Sequence, residues 1–176
     1  MLRYTRDGGV PSDNPYPGDP EWSRGLRNTF ALAVHPTTGD LFGADAGPAS
    51  DDKLNYLAAG KNFLWGMDEE PRGSGIGFSI RIWPEVITPT ALLFHSGAGG
   101  FDDFQYQLFT TSYNFEDVRV IHLTGEASTD FVREETFATF QSADFNNKPL
   151  HMVEAGDGSL YISTFDSIYR IDASRQ

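Results

Sequence analysis

Short apolar runs, each cut off by a cluster of turn residues, recur from one end of this chain to the other. No helical apolar period is sustained over several turns. The clearest case is the run 31–34, the turn cluster Pro36-Thr37-Thr38-Gly39-Asp40 and the restart at Leu41-Phe42, which predicts a β-hairpin. The same plan returns near the C-terminus, with 149–153, a turn at Ala155-Gly156-Asp157-Gly158, and then 159–163. Between them lie four further runs, 91–95, 107–113, 117–123 and 131–137, each separated from the next by Gly, Asp, Asn or Ser. Four antiparallel strands in about fifty residues is the size of one propeller blade, so the expected fold class is all-β.

The other segments fit around that pattern. Leu2-Arg3-Tyr4 reads as an outer strand, and 10–20 as a loop too rich in proline for helix or central strand. Residues 51–57 read as a short strand or a turn of helix, 67–77 as an acidic, glycine-rich surface loop, and 80–84 as alternating strand. The tail 167–172 echoes the head. The chain thus starts late in one blade, crosses about two more and stops within the next, which gives a partial propeller of about three four-stranded antiparallel blades. A propeller ring normally needs at least four blades. An open array exposes its terminal sheet faces, so either a homo-oligomer sharing those faces or a portion of a larger protein is expected.

Composition narrows the partners. At 176 residues, with 14 Phe, there is enough bulky apolar material for one domain, 1–176, with a real core. A formal charge of −12 and a pI near 4.5 argue against a nucleic-acid partner, whose phosphates need a basic surface. The absence of cysteine excludes disulfides, thiolate chemistry and cysteine-ligated zinc. No apolar run approaches membrane-spanning length, and Met1-Leu2-Arg3-Tyr4 leads into polar sequence without the look of a signal peptide.

The hairpin's ends carry the candidate chemistry. Arg27-Asn28 enters its first strand and Gly47-Pro48 leaves its second, so a cation, an amide and a tight backbone corner fall on one rim of the sheet. Taken singly, Arg27 is a surface charge and Gly47-Pro48 a turn. Trp22 and Trp65 are most simply core aromatics, His35 a turn residue and His122 a solvent-side strand residue. His95 and His151 divide between core or rim polar groups and pocket lining.

Several motifs follow in order: Asp7-Gly8 with Pro11-Ser12-Asp13-Asn14-Pro15; Gly25-Leu26-Arg27-Asn28-Thr29; His35-Pro36-Thr37-Thr38-Gly39-Asp40-Leu41; Gly47-Pro48-Ala49-Ser50-Asp51-Asp52-Lys53; Ala59-Gly60-Lys61-Asn62-Phe63-Leu64-Trp65-Gly66; and Asp157-Gly158-Ser159-Leu160-Tyr161-Ile162 with Ile168-Tyr169-Arg170-Ile171. This series resembles the C-terminal half of the soluble pyrroloquinoline quinone (PQQ)-dependent glucose/sorbosone, or aldose sugar, dehydrogenases, which are six-bladed β-propellers. Thr29 stands where that family has proline, and Lys53 where it has glutamate.

The resemblance implies a role for each site residue. Calcium would be held by the carbonyls of Gly47 and Pro48, Arg27 and Asn28 would hold the reacting quinone carbonyl, and Trp83 would line the cofactor and sugar pocket. Lys148 would meet the cofactor's carboxylates, while Tyr113-Asn114 stands where a further lysine is expected. Asp51-Asp52 reads as a solvated turn or a second calcium site, and Lys53 weakens the second option. The family's general-base histidine lies in blades outside this chain, so no histidine here is assigned that role. The implied function is the C-terminal portion of a PQQ- and calcium-dependent enzyme that oxidises aldoses at C1, periplasmic or extracellular and inactive alone. The alternative is a propeller-derived binding or assembly module without the chemistry.

Overall fold

The computed structural model describes residues 1–65, 79–125, 128–140 and 147–173. The expected loop at 67–77 lies outside the described residues. Eleven strands form three antiparallel sheets among the described residues, with two short 3₁₀ turns at Ala98–Gly100 and Asp102–Phe104. The first sheet runs β1 (Thr29–Val34), β2 (Leu41–Asp45), β3 (Asp52–Tyr56) and β4 (Ser79–Trp83) in sequential order. The second is β5 (Pro89–Phe94), β6 (Leu108–Ser112), β7 (Asp117–Thr124) and β8 (Asp130–Thr139). The third has three strands, β9 (His151–Glu154), β10 (Leu160–Ser163) and β11 (Ile168–Ile171). The all-β reading holds, and each sheet is a meander of neighbouring strands.

The hairpin forms as its sequence predicts. Ala33 faces Phe42 and Val34 faces Leu41 across β1 and β2. The turn is closed by His35 N–H donating to the Asp40 carbonyl at 2.8 Å and Gly39 N–H donating to the His35 carbonyl at 2.9 Å. Gly39 sits at φ +77°, which a residue with a side chain adopts only under strain.

The sheets stack face to face, with the first strands β1, β5 and β9 meeting in succession. Period-two alternation feeds two cores. Ala31, Ala33, Phe42 and Leu54 of the first sheet pack against Leu92, Phe94, Leu108 and Ile121 of the second. On the second sheet's other face, Ala91, Phe109, Val118 and Val120 pack against Met152, Leu160 and Ile162 of the third. Every residue of β6 is buried, because Leu108 and Phe109 serve opposite cores. The outer faces of the array are left open. Phe30, Leu32 and Val34 are exposed on β1, and Val153 and Ile168 are exposed on the third sheet.

The head departs from the expected strand. Leu2 makes only an isolated bridge to Glu21, and Arg3 N–H donates to the Pro20 carbonyl at 2.8 Å. Pro20 has no N–H to return, and Leu2 and Tyr4 are exposed, so the segment has neither a full ladder nor a buried apolar face.

Candidate functional site

The rim where β1 begins and β2 ends is organised by two buried carboxylates. Asp45, the last residue of β2, accepts hydrogen bonds from Arg27 N–H (3.1 Å), Asn28 N–H (2.7 Å) and the Thr29 hydroxyl (3.0 Å). It therefore pins the segment entering β1 against the end of β2. Asp52, at the start of β3, accepts Gly47 N–H through Oδ1 and Thr88 N–H through Oδ2, both at 2.7 Å. Burial pushes the Asp52 carboxyl above its ordinary value, against the hydrogen bonds from Thr88, Gly47 and Ile87, and nearby Asp45 adds to the rise.

Between these carboxylates the chain makes a corner that only glycine fits. A Cβ on Gly47 would lie 1.9 Å from the Ser50 carbonyl oxygen. Arg27 reaches across this corner, its Nη1 donating to the Ala46 carbonyl at 2.8 Å and to the Gly47 carbonyl at 3.0 Å. The guanidinium also lies 5.4 Å from the centre of the Trp65 ring, and Trp65 is 43% exposed. Asn28 is exposed beside it, with its backbone engaged by Asp45 and by Ala46 N–H.

The same rim continues through the second sheet to the third. Thr88, held by Asp52, accepts Tyr113 N–H at 3.1 Å, and the Tyr113 carbonyl accepts Lys148 Nζ at 3.4 Å. Lys148 also pairs with Glu116 at 3.2 Å and lies 4.9 Å from the centre of the Tyr113 ring. Asn114 donates to the Val86 carbonyl and to the Thr88 hydroxyl, so it ties the turn at 113–116 to the strand entering the second sheet. Arg27, Asn28, Gly47, Pro48 and Lys148 thus share one end of the molecule, linked by a hydrogen-bonded path through Asp52 and Thr88.

Trp83 stands apart from them. Its Cα is paired with that of Asp52 on this rim, but its ring is 2% exposed, packed in the core between the first two sheets. Its indole N–H donates to Glu134, which also receives Arg81 Nε (2.8 Å) and Arg119 Nη1 (2.9 Å). Trp83 therefore clasps the first sheet to the second and offers no exposed face to a ligand. Trp65, expected in the core, is the exposed indole of the rim. Trp22 is half-buried, its indole N–H bound to the Leu57 carbonyl at 2.7 Å. Asp52 is no solvated turn residue, because both its oxygens hold backbone N–H groups.

No histidine stands at the Arg27 corner. His35 is buried at the opposite end of β1, its ring bonded to Thr38 N–H and to the Ser128 hydroxyl. His95 is fully buried between Gly97 N–H and the Gly158 carbonyl. His122 is half-buried beside Glu135 at 2.8 Å, and His151 is exposed at the start of β9 on the third sheet. A cavity of about 720 Å³ lined by Leu2, Tyr4, Trp22, Val34 and Leu57 also opens at the His35 end, away from the Arg27 rim. Among the described residues no cluster of three or more His, Asp or Glu side chains is placed to hold a metal ion.

Comparison with known proteins gives the rim its context. The sequence model of the Glucose / Sorbosone dehydrogenase family matches residues 1–170. The aldose sugar dehydrogenase YliI of Escherichia coli (strain K12) is 26% identical over 95% of this chain and 48% of its own length. Quinoprotein glucose dehydrogenase B of Acinetobacter calcoaceticus is 38% identical over 68 residues, 37% of this chain and 14% of its own. Among solved structures, a glucose dehydrogenase superposes with a TM-score of 0.80 at 26% identity, over 98% of this chain and 54% of that one. The PQQ-bound aldose sugar dehydrogenase of Streptomyces coelicolor gives 0.71 at 25% identity, over 94% of this chain and 45% of that one. The chain spans about half the length of the curated relatives it matches along its length. Its three stacked sheets are consistent with part of a β-propeller. On the extent of the family match, the chain belongs to the glucose/sorbosone dehydrogenase family.

Proposed function

We propose that this chain supplies the cofactor-facing rim of a PQQ- and calcium-dependent aldose dehydrogenase that oxidises the sugar at C1. The observation that carries the reading is the contact of Arg27 Nη1 with the Gly47 carbonyl, which joins both ends of the β1–β2 hairpin in one patch. The donor types suit the group. Calcium accepts main-chain oxygens, and the Gly47 carbonyl, which here accepts Arg27, stands at a corner that admits no side chain at position 47. A quinone bearing carboxylates suits a rim with Arg27 exposed and Lys148 further along it. Trp83 does not suit a lining role, because its ring is buried and its N–H is taken by Glu134.

When bound, PQQ would supply the two-electron acceptor for the hydride leaving the aldose C1. The protein's own residues would orient and stabilise. The carbonyls of Gly47 and Pro48 would hold the cation, and the Arg27 guanidinium and Asn28 amide would face the oxygen where negative charge develops. The proton of the sugar hydroxyl needs a base, and no histidine stands beside Arg27 and Gly47 to take it. Catalysis by this chain alone is therefore not expected, and the remaining propeller blades or a second copy would complete the site.

A second reading, a binding or assembly module without chemistry, draws support from Lys148 being paired with Glu116 and from the buried Trp83. Titration of the purified chain with PQQ and Ca²⁺, followed by the cofactor's absorption and by dye reduction with glucose, separates the two. Saturable PQQ binding without turnover is the expected result. Absence of any cofactor binding would favour the module, and turnover by the chain alone would overturn the expectation that it is inactive.

A further inference from the structure

The Gly47 carbonyl proposed as a metal ligand already has a cation on it. Arg27 Nη1 lies 3.0 Å from that oxygen and 2.8 Å from the Ala46 carbonyl, so the guanidinium bridges two successive main-chain oxygens of the corner. A divalent ion on the Gly47 carbonyl would set two like charges against one oxygen, where their repulsion is only partly screened. The corner cannot retreat, because the Gly47 position already lies against the Ser50 carbonyl, with Gly47 N–H fixed by buried Asp52. Arg27 can move, being exposed on a long side chain.

We propose that Arg27 is a tethered occupant of the metal corner, which a divalent cation must displace in order to bind. The inference rests on the metal reading of Gly47 and Pro48 and adds the order of events at that corner. Arg27 bridges the Ala46 and Gly47 carbonyls, whose dipoles favour its charge there. Arrival of the ion swings the guanidinium off the Gly47 oxygen and off the Trp65 ring, which lies 5.4 Å away. The same displacement frees a cation to face an anionic ligand, so metal binding and anion binding at this rim are coupled through one side chain. Trp65, exposed and stacked on the moving group, is the built-in reporter.

The test is calcium binding by calorimetry and by tryptophan emission, with the purified chain and its Arg27→Gln, Arg27→Lys and Trp65→Phe variants. Removing the competing charge-assisted hydrogen bonds should tighten calcium binding by roughly tenfold or more in Arg27→Gln. Lysine lacks the planar fork and should give a smaller gain in the same direction. Calcium should change the emission of the unsubstituted chain, and Trp65→Phe should lose that change while still binding the ion. Circular dichroism checks the fold, and if Arg27→Gln is unfolded the Arg27→Lys comparison decides. Calcium bound by the unsubstituted chain but no more tightly by a folded Arg27 variant overturns the displacement while leaving the metal corner standing. No calcium binding by any folded variant overturns both.

Discussion

Asp52 Oδ2 accepts the backbone N–H of Thr88 at 2.7 Å, joining the first strand residue after the Gly47 corner to the segment that enters the second sheet. Its other oxygen holds Gly47 N–H, so one buried carboxylate sets both the corner and its distance from the next sheet. Asparagine in its place would turn a donor toward one of two N–H groups. Asp52→Asn should therefore destabilise the chain by about 1–3 kcal/mol, the usual loss when a buried donor is left unmet. Urea unfolding measures this, and an unchanged midpoint would remove Asp52 from its organising role.

Gly47 tests the corner itself. The Ser50 carbonyl, 1.9 Å from where an added methyl would sit, is backbone and cannot rotate away. Gly47→Ala should cost about 2 kcal/mol, as overpacking against fixed atoms does. Calcium binding, where the unsubstituted chain shows it, should weaken in parallel. A variant with full stability and affinity would show that the turn at 47–51 is free to widen.

Glu134 supplies the pH dependence. Burial pushes its carboxyl up, but hydrogen bonds from Arg81, Trp83 and Arg119 outweigh burial and hold it below its ordinary value. A carboxyl depressed in the folded state contributes stability that is present above the unfolded value and lost as pH falls through the folded one. Glu134→Gln should cost about 3 kcal/mol at neutral pH, because it leaves Arg81 and Arg119 facing a neutral amide in a mostly buried site. The gap between variant and parent should narrow on acidification below about pH 4, where the parent's carboxylate is also being neutralised. Equal gaps at about pH 7 and about pH 3 would mean that the clasp is not ionic.

The open faces make a prediction about association. Phe30, Leu32 and Val34 on β1, and Val153 and Ile168 on the third sheet, are exposed apolar residues on the two outer sheets. Light scattering should show species larger than a monomer, and Phe30→Glu with Val153→Glu should reduce them. A clean monomer at high concentration would refute association through these faces.

Much of this was legible in the sequence, and the exceptions share a cause. The β1–β2 hairpin and the four strands of the second sheet follow from alternation between turn clusters, where the phase is fixed over several residues. Phase fails at strand ends. Leu64 at φ +67° redirects the chain just before Trp65, so an indole expected in the core reaches the surface beside Arg27. Trp83 closes β4 facing inward, where its partner Glu134 is 51 residues away and invisible to local pattern. Asp51 at φ +62° likewise turns Asp52 inward. The third sheet has three strands among the described residues and the head makes only an isolated bridge, neither of which periodicity encodes. The rim pairing of Arg27 with Gly47 was legible, because a hairpin must bring its two outer ends together.

The wholly buried β6 has a consequence for how such a chain tolerates change over time. A strand enclosed on both sides has no water-compatible surface of its own, so each flanking sheet shields the centre of the one between them. Deletion of either flank would strip the centre bare, whereas lengthening of a rim turn would leave both shields intact. Innovation in this architecture is thereby channelled into its loops, the same places where the candidate chemistry resides.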